Sequence, residues 1–318
     1  MRYRTDPASI RGSIAPVVTP FSAGGEVDHE SLRGLIRWQL DSGSHGISLG
    51  GSTGEPSSQS VRERIDAMTV AATEIADRVP FVPGTGSAKL DETLELTQAA
   101  IDVGADAALV ITPYYSRPTQ EGLYEWYSAI ASTFPDMPIV LYNVPIRTAV
   151  DVAPGTVARL RRDHHNVVGI KETTKDFEHF SRVLAVCGQD TLVWSGIELL
   201  CLPLLALGGV GFVSAVTNLA PSAVASMYEL WVAGDTSKAL DLHFGLHPLV
   251  DLMFVETNPA PIKHVLHRAG QIASDHVRPP LVTPTAPGRA QIDALLVQGA
   301  PMLEGALAEL AASVASAP

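Results

Sequence analysis

Short apolar runs alternate with longer amphipathic segments along most of the chain. Eight runs rich in aliphatic and β-branched residues begin roughly 20 to 35 residues apart, which is about the length of a βα unit. These runs are Ile14–Thr19, Gly46–Leu49, Phe81–Pro83, Ala107–Thr112, Ile139–Tyr142, Val167–Lys171, Thr191–Trp194 and Val210–Ser214. Most of them are continuously apolar, as parallel strands buried on both faces are. The pattern therefore predicts eight parallel strands.

The segments between these runs show helical periodicity. Ser31–Leu40 and Leu90–Val103 each place their apolar residues on one helical face. Gly43, Gly104 and Gly188 follow such segments, at the position where a helix commonly ends on a glycine. Strand and helix repeated eight times predict an α/β fold, and the even repeat favours a closed (β/α)8 TIM barrel over a large doubly wound sheet.

The strand pattern ends at about residue 218. Helical patterns then cover Pro221–Val232, Thr236–Phe254, Pro259–Ala269 and Ala290–Ala311. We expect residues 10–218 to form the barrel and residues 219–318 to form a C-terminal helical region packed on it.

The composition is that of a folded globular protein. Of the 318 residues, 46% are apolar and 18% are charged, which excludes intrinsic disorder. The formal net charge of −12 argues against nucleic acid as a partner, because a phosphate backbone favours a basic surface. The chain's two cysteines cannot form a disulfide framework or a cysteine-rich zinc site, so the expected location is the reducing cytoplasm.

The sequence predicts neither a membrane segment nor a bound metal or nucleotide cofactor. The most apolar stretch, Leu199–Val213, is interrupted by proline and glycine and is shorter than the roughly 20 residues of a spanning helix. The first residues also lack the apolar core of a signal peptide. His243/His247 and His264/His267 have helical spacing but no third ligand at a matching position. A Gly-x-Gly-x-x-Gly pattern after the first strand and a Walker loop are both absent from the sequence.

Reactive side chains are concentrated just after the predicted strands. In a (β/α)8 barrel, these positions form the active face. The candidate site residues at this face are Ser52, Thr53, Tyr115, Tyr142, Arg147, Lys171, Gly196 and Val213.

Lys171 is the most informative of these candidates. It ends an otherwise apolar strand, where a charged amine is costly to bury. A neutral amine in a pocket attacks carbonyl groups and forms a Schiff base. The alternative is a lysine that extends to solvent or pairs with Glu172. Because tyrosines and hydroxyls follow the neighbouring strands, we favour a nucleophilic lysine.

A Schiff base on a 2-keto acid needs three further functions. Ser52 and Thr53 lie in a glycine-bounded loop whose N–H groups and hydroxyls suit the carboxylate. Tyr142 lies one strand away from Lys171 and suits a proton relay, with Ser52 and Tyr115 as further links. Arg147 suits a bidentate contact with a carboxylate of a second substrate.

Four motifs occur in order, each at a predicted strand end. They are Gly-Ser-Thr-Gly-Glu (51–55), Thr-Pro-Tyr-Tyr (112–115), Tyr-Asn-Val-Pro-x-Arg-Thr (142–148) and Gly-Ile-Lys-Glu (169–172). Together with Gly12–Phe21 and Asn258–Lys263, they make the chain resemble the dihydrodipicolinate synthase / N-acetylneuraminate lyase family of pyruvate-dependent class I aldolases. The resemblance extends from about residue 10 to about residue 300.

The resemblance implies a (β/α)8 barrel with C-terminal helices, usually assembled as a homotetramer of two tight dimers. It implies that Lys171 forms the Schiff base with pyruvate and that Tyr142 relays protons. Ser52 and Thr53 match the hydroxyl pair that binds the pyruvate carboxylate, and Tyr115 matches a tyrosine inserted by a neighbouring subunit.

Three further positions match residues at the family's substrate site. Gly196 and the backbone of Val213 match positions that line the pyruvate pocket. Arg147 matches the arginine that meets the carboxylate of aspartate semialdehyde in the synthase. The partners implied are therefore pyruvate and a small aldehyde, with no cofactor beyond the covalent Schiff base.

The subfamily is indicated by a few positions only. Arg147 favours a synthase-like acceptor with its own carboxylate, whereas Ser52 is the residue found in the lyases. Val61, Arg64 and Ala88 occupy positions that carry histidines and an asparagine in lysine-inhibited synthases, which argues against feedback inhibition by lysine.

Three other functions remain open from the sequence. Two are aldolases: a catabolic 4-hydroxy-2-oxo-diacid aldolase, such as one for 2,4-dihydroxyhept-2-ene-1,7-dioate, and an N-acetylneuraminate lyase-like sugar-acid aldolase. The third, a non-catalytic protein that binds keto acids, predicts loss of the lysine or the tyrosine, and both are present.

Overall fold

The computed structural model describes residues 5–317. Its sheet has seven parallel strands in the order β2-β1-β7-β6-β5-β4-β3. The strands are β1 (Gly12–Pro16), β2 (Gly46–Ser48), β3 (Ala108–Ile111), β4 (Ile139–Asn143), β5 (Val167–Glu172), β6 (Leu192–Ser195) and β7 (Gly211–Val213). Residues 1–4, where the sequence predicts no signal peptide, and Pro318 lie outside the described residues.

The segment predicted as the third strand closes the barrel between β2 and β3. Ile47 N donates to Pro80 O at 2.9 Å and Val82 N donates to Ile47 O at 2.8 Å. On the other side, Leu109 N donates to Pro83 O at 2.9 Å. The segment forms isolated parallel bridges rather than a regular strand, because Pro80 and Pro83 have no N–H to donate. The predicted (β/α)8 barrel is confirmed.

Helices follow the strands and continue beyond them. They are α1 (His29–Asp41), α2 (Val61–Ile75), α3 (Leu90–Asp102), α4 (Gln120–Thr133), α5 (Pro145–Thr148), α6 (Pro154–Asp163), α7 (Phe177–Cys187), α8 (Cys201–Ala206), α9 (Pro221–Val232), α10 (Thr236–Gly245), α11 (His247–Met253), α12 (Ala260–Arg268), α13 (Ala286–Gln298) and α14 (Gly305–Ala315). The predicted helix-ending glycines Gly43, Gly104 and Gly188 have φ values of 84°, 76° and 89°, in the left-handed region that glycine tolerates.

Two long helices predicted from the sequence are each interrupted. The pattern over Thr236–Phe254 forms α10 and α11, because Pro248 cannot donate the hydrogen bond that would continue α10. The pattern over Ala290–Ala311 is divided between α13 and α14 by a 3-10 turn at Ala300–Met302, where Pro301 has the same effect. Both predictions of a single helix are wrong for this reason.

Alternate residues of each strand face two different apolar clusters. Side chains such as Val140, Tyr142 and Trp194 belong to a cluster inside the barrel. Their strand neighbours Leu141 and Val193 belong to a larger cluster between the sheet and the helices. Because successive strand residues point to opposite faces, this alternation decides which side chains reach the barrel interior.

The larger cluster also includes apolar residues of the C-terminal helices, among them Leu249 and Leu307. The division of the chain into a barrel at residues 10–218 and a helical region from residue 219 stays a prediction. Among residues 5–317, no helix is both long and apolar enough to span a bilayer.

Glu63 joins the start of α2 to the segment after α12. Its carboxylate accepts hydrogen bonds from Arg278 Nη1 at 3.1 Å and from Ser60 N at 2.8 Å. The hydrogen bond from Arg278 is the largest of the effects that lower the pKa of Glu63 to about 2. Since this pKa is below the ordinary value, the ionised carboxylate stabilises the folded protein above about pH 4.5, and this stabilisation is lost as the pH falls towards 2.

We expect Glu63→Gln to lower the free energy of unfolding by about 1–2 kcal/mol at pH 7, because the side chain is partly exposed and its charge partly screened. The difference from the wild type should shrink steadily between pH 4.5 and pH 2.5. Urea unfolding at several pH values measures it, with exposed Glu125→Gln on α4 as the control. A difference that stays constant with pH would contradict the assigned role of the ionised carboxylate.

Candidate active site

Lys171 and Tyr142 lie side by side at the carboxyl ends of neighbouring strands. The register pairs Tyr142 of β4 with Lys171 of β5, and Lys171 Nζ lies 4.0 Å from the centroid of the Tyr142 ring. The two side chains are only 5% and 4% exposed. Because register partners on adjacent parallel strands face the same side of the sheet, strand pairing brings the amine and the phenol together.

The Tyr142 hydroxyl extends this pair to the loop after β2. It lies 3.2 Å from Ser52 Oγ, and either oxygen can be the donor. Burial raises the pKa of the Tyr142 phenol, but the charge of Lys171, the hydrogen bond with Ser52 and the charge of Arg147 outweigh burial. The pKa of Tyr142 is therefore below its ordinary value. A phenol with these neighbours is suited to exchanging protons with the amine.

Ser52 and Thr53 begin a short 3-10 turn, Ser52–Gly54. The N–H groups at the start of such a turn have no acceptor within the turn, so they remain available to an anionic group. The Thr53 hydroxyl oxygen is held by Asn258, whose Nδ2 donates to it at 3.1 Å. The turn ends at Glu55, whose φ of 52° lies in the left-handed region.

Glu172 does not pair with the neighbouring Lys171. Its carboxylate accepts hydrogen bonds from Asn143 Nδ2 at 2.9 and 3.0 Å, and from the N–H groups of Thr173 and Thr174 at 3.0 Å each. As successive strand residues point to opposite faces, Glu172 lies on the outer side of the barrel from Lys171. The alternative in which Glu172 pairs with Lys171 is wrong.

Gly196 gives Lys171 the space that it occupies. A Cβ atom at this position would lie 2.7 Å from Lys171 Cε and would overlap Thr173 Oγ1. Val213 ends β7, is 5% exposed, and belongs to the cluster inside the barrel. Gly196 thus lies against the lysine, and Val213 lies in the interior of the same barrel.

A cavity of about 230 Å³ opens beside these residues. Ser52, Tyr142 and Arg147 line it, whereas Lys171 is not one of its wall residues. Arg147 is exposed on the short helix α5, directly after β4. The cavity thus brings the exposed Arg147 guanidinium to the same space as the Tyr142 phenol and the Ser52 hydroxyl.

Tyr115 lies apart from the other predicted site residues within one chain. Its side chain is 95% exposed, and the cavity wall contains the neighbouring Tyr114 instead. The φ of Tyr115 is 76°, a left-handed conformation that is uncommon for a residue other than glycine. One chain alone does not bring this phenol into contact with Tyr142.

Arg64 also lines the cavity, although its place in the sequence does not indicate an active-site residue. It is 7% exposed, and its Nη2 donates to Gly84 O at 2.9 Å and Gly86 O at 3.1 Å. Burial lowers the pKa of Arg64 to about 10. The sequence signal was its position on the apolar face of α2, in register with Met68 and Ile75.

The fold and the site together define a class of protein. A (β/α)8 barrel with a buried lysine beside a tyrosine at the carboxyl ends of its strands has the arrangement of an enzyme that uses a lysine amine as nucleophile.

Comparisons with known proteins agree with this class. The model of the dihydrodipicolinate synthetase family matches residues 9–298. The chain is 47% identical over 277 residues to the 4-hydroxy-tetrahydrodipicolinate synthase of Thermus thermophilus. The aligned residues make up 87% of this chain and 92% of that protein. It is 42% identical over 282 residues to the enzyme of the same name from Syntrophobacter fumaroxidans, covering 89% and 96%.

Solved structures show the same similarity. The 4-hydroxy-tetrahydrodipicolinate synthase of Methylacidiphilum fumariolicum superimposes with a TM-score of 0.89 at 33% identity, covering 96% of this chain and 99% of that one. The dihydrodipicolinate synthase of Thermotoga maritima gives a TM-score of 0.87 at 37% identity, covering 92% and 99%.

The chain belongs to the dihydrodipicolinate synthetase family. The family membership and the enzyme class predicted from the four motifs are therefore confirmed.

Proposed function

We propose that this protein condenses pyruvate with aspartate semialdehyde, the activity of a 4-hydroxy-tetrahydrodipicolinate synthase, through a Schiff base on Lys171. The observation that carries the proposal is the buried contact of Lys171 Nζ with the Tyr142 ring at 4.0 Å, with Ser52 Oγ 3.2 Å from the Tyr142 hydroxyl. The relatives at 42% and 47% identity support the synthase over the catabolic and sugar-acid aldolases.

In the proposed reaction, Lys171 Nζ forms a bond to C2 of pyruvate and the carbonyl oxygen leaves as water. Tyr142 and Ser52 carry the protons that this exchange requires, because their hydroxyls are in contact. Loss of a proton from C3 gives an enamine, whose C3 bonds to the aldehyde carbon while the aldehyde oxygen takes a proton. The amino group that came from aspartate semialdehyde then attacks C2 and the C2–Nζ bond breaks, which closes the ring and frees Lys171. The Schiff base itself supplies the electron sink, so the reaction as proposed requires no metal or nucleotide.

The two substrates are held by different groups. Ser52 and Thr53 hold the pyruvate carboxylate with their hydroxyls and the free N–H groups of the turn. Gly196 leaves room for Lys171, and the backbone of Val213 lines the pyruvate pocket. The enzyme acts as a homotetramer in which a neighbouring subunit inserts Tyr115 next to Tyr142, which accounts for the 95% exposure of Tyr115 in one chain.

Trapping with borohydride tests the proposal directly. Pyruvate and borohydride together should add one reduced pyruvyl group to the wild-type protein, at Lys171, as peptide mass spectrometry measures. An acceptor screen with pyruvate should then show consumption of aspartate semialdehyde well ahead of succinate semialdehyde and N-acetylmannosamine. A pyruvyl adduct with turnover of a different aldehyde would retain the lysine chemistry but reject the proposed acceptor. Absence of any adduct would favour a non-catalytic binding protein.

Arg147 is expected to act on the acceptor alone. Loss of a charge-assisted bidentate contact costs about 1.5–3 kcal/mol, so Arg147→Ala should raise the KM for aspartate semialdehyde about 10- to 150-fold. The KM for pyruvate should change less than about twofold. Steady-state kinetics with each substrate varied in turn measure both constants. Arg147→Lys should give an intermediate KM for aspartate semialdehyde, because lysine keeps the positive charge but cannot form the bidentate hydrogen bond. Equal losses for both substrates would remove Arg147 from this role.

A further inference from the structure

Lys263 of α12 is buried against the loop that carries Ser52 and Thr53. Its side chain is fully buried, and its Nζ lies 2.5 Å from an oxygen of Glu55, whose own side chain is 2% exposed. Lys263 Nζ also donates to His276 O at 3.0 Å and lies 4.0 Å from the centroid of the Phe21 ring. The amine is therefore enclosed on several sides.

The same helix region reaches the loop at a second residue. Asn258, two residues before α12, donates to the Thr53 hydroxyl at 3.1 Å. Glu55 completes the connection because its second oxygen accepts from the Arg278 N–H at 3.1 Å. Thr53 and Glu55 are thus both attached to the C-terminal part of the chain, on either side of Gly54.

Such a pair is costly to bury and is weak evidence of stabilisation by itself. Burial lowers the pKa of Lys263 to about 8, although Glu55 acts in the opposite direction. The ion pair does, however, fix the orientation of the Lys263 and Glu55 side chains, because it restricts the positions of its two groups more than an apolar contact does. Glu55 needs this, because it ends the turn in a left-handed conformation that is strained for a residue with a Cβ atom.

We propose that Lys263 is a positioning residue for the pyruvate carboxylate site. Through Glu55, and together with Asn258 on Thr53, it fixes the orientation of the hydroxyls and N–H groups of Ser52 and Thr53. This inference rests on the proposed function, in which those groups hold pyruvate. It makes the C-terminal helices part of the active site's framework, although α12 supplies no group to the reaction itself.

Lys263→Met tests the role of the amine. The KM for pyruvate should rise at least about 10-fold while the KM for the aldehyde changes less than about twofold. The rate at which pyruvate and borohydride label Lys171 at low pyruvate concentration should fall by the same factor. Lys263→Met leaves the Glu55 carboxylate buried without its cation and can therefore impair folding. The double variant Glu55→Gln/Lys263→Met removes both charges and should fold. It should show the same selective rise in the KM for pyruvate.

The matched control is His264→Gln on the same helix. His264 is also buried, at 7% exposed, but its Nδ1 lies 3.1 Å from Asp275 Oδ2 rather than against Glu55. This variant should lower the melting temperature without changing either KM. Asn258→Ala should raise the KM for pyruvate in the same direction as Lys263→Met, by about threefold or more.

Two results would overturn the inference. One is a double variant that melts at a lower temperature yet keeps the KM for pyruvate within twofold of the wild type, as a purely structural pair predicts. The other is an equal rise in both KM values. Failure of the proposed function is recognised separately, because the wild-type protein would then show no pyruvyl adduct at all.

Discussion

Lys171→Ala should abolish condensation and covalent labelling while leaving the protein folded. The alanine removes the only group proposed to bond to pyruvate, and the lost pathway should lower kcat by at least about 10³-fold. The substitution also removes an amine next to Tyr142 rather than a packed apolar side chain, so the barrel should remain intact. Turnover of pyruvate with aspartate semialdehyde and mass spectrometry after borohydride treatment measure the two losses.

The matched control for this prediction is Lys175→Ala, four residues further along. Lys175 is exposed after the end of β5, so its loss should change neither labelling nor turnover. Circular dichroism and thermal melting of both variants establish that they are folded. A pyruvyl adduct that still forms in Lys171→Ala would locate the nucleophile elsewhere in the protein.

Tyr142→Phe should lower kcat about 10²- to 10⁴-fold, which is the range for loss of a positioned proton-transfer group. The phenylalanine keeps the ring that packs inside the barrel and against Lys171 Nζ, but removes the hydroxyl that contacts Ser52. We expect the KM for pyruvate to change little, because the carboxylate site on Ser52 and Thr53 is retained. Pre-steady-state measurement of Schiff-base formation separates the loss of proton transfer from the loss of binding.

The control for Tyr142→Phe is Tyr124→Phe on α4. The Tyr124 hydroxyl also makes a hydrogen bond, to Asp163 Oδ2 at 3.0 Å, but it lies on the outside of the barrel. Its removal should leave kcat unchanged. Should Tyr142→Phe retain more than about a third of the wild-type kcat, the relay would have to use another hydroxyl, with the inserted Tyr115 as the next candidate.

The sequence indicated the barrel because its strands are short, apolar and regularly spaced. The apolar pattern also predicted the correct barrel position of Phe81–Pro83, although proline removes backbone donors there. The few hydrogen bonds that this segment makes are enough to hold it between its two neighbouring strands. The same pattern fails for helix ends, since α10 and α11 share one apolar periodicity and only Pro248 divides them.

The candidate residues were found because parallel strands all end at one face. Lys171 and Tyr142 were identified from their place at the ends of adjacent strands, and the register confirms that they face each other. Arg64 was missed as a cavity residue because it lies inside a helix, where an arginine on an apolar face looks like an isolated exception.

By itself, the sequence determined the order of strands and helices, the family, and which polar side chains follow which strand. These properties depend on short stretches of sequence, so hydrophobic periodicity and sequence motifs are enough to predict them. Only the tertiary structure decided that Glu172 pairs with Asn143 rather than with Lys171, and that Lys263 is buried against Glu55. The Asn143–Glu172 contact spans 29 positions of the sequence, and the Lys263–Glu55 contact spans 208. A local sequence pattern does not determine which distant group will satisfy a buried charge.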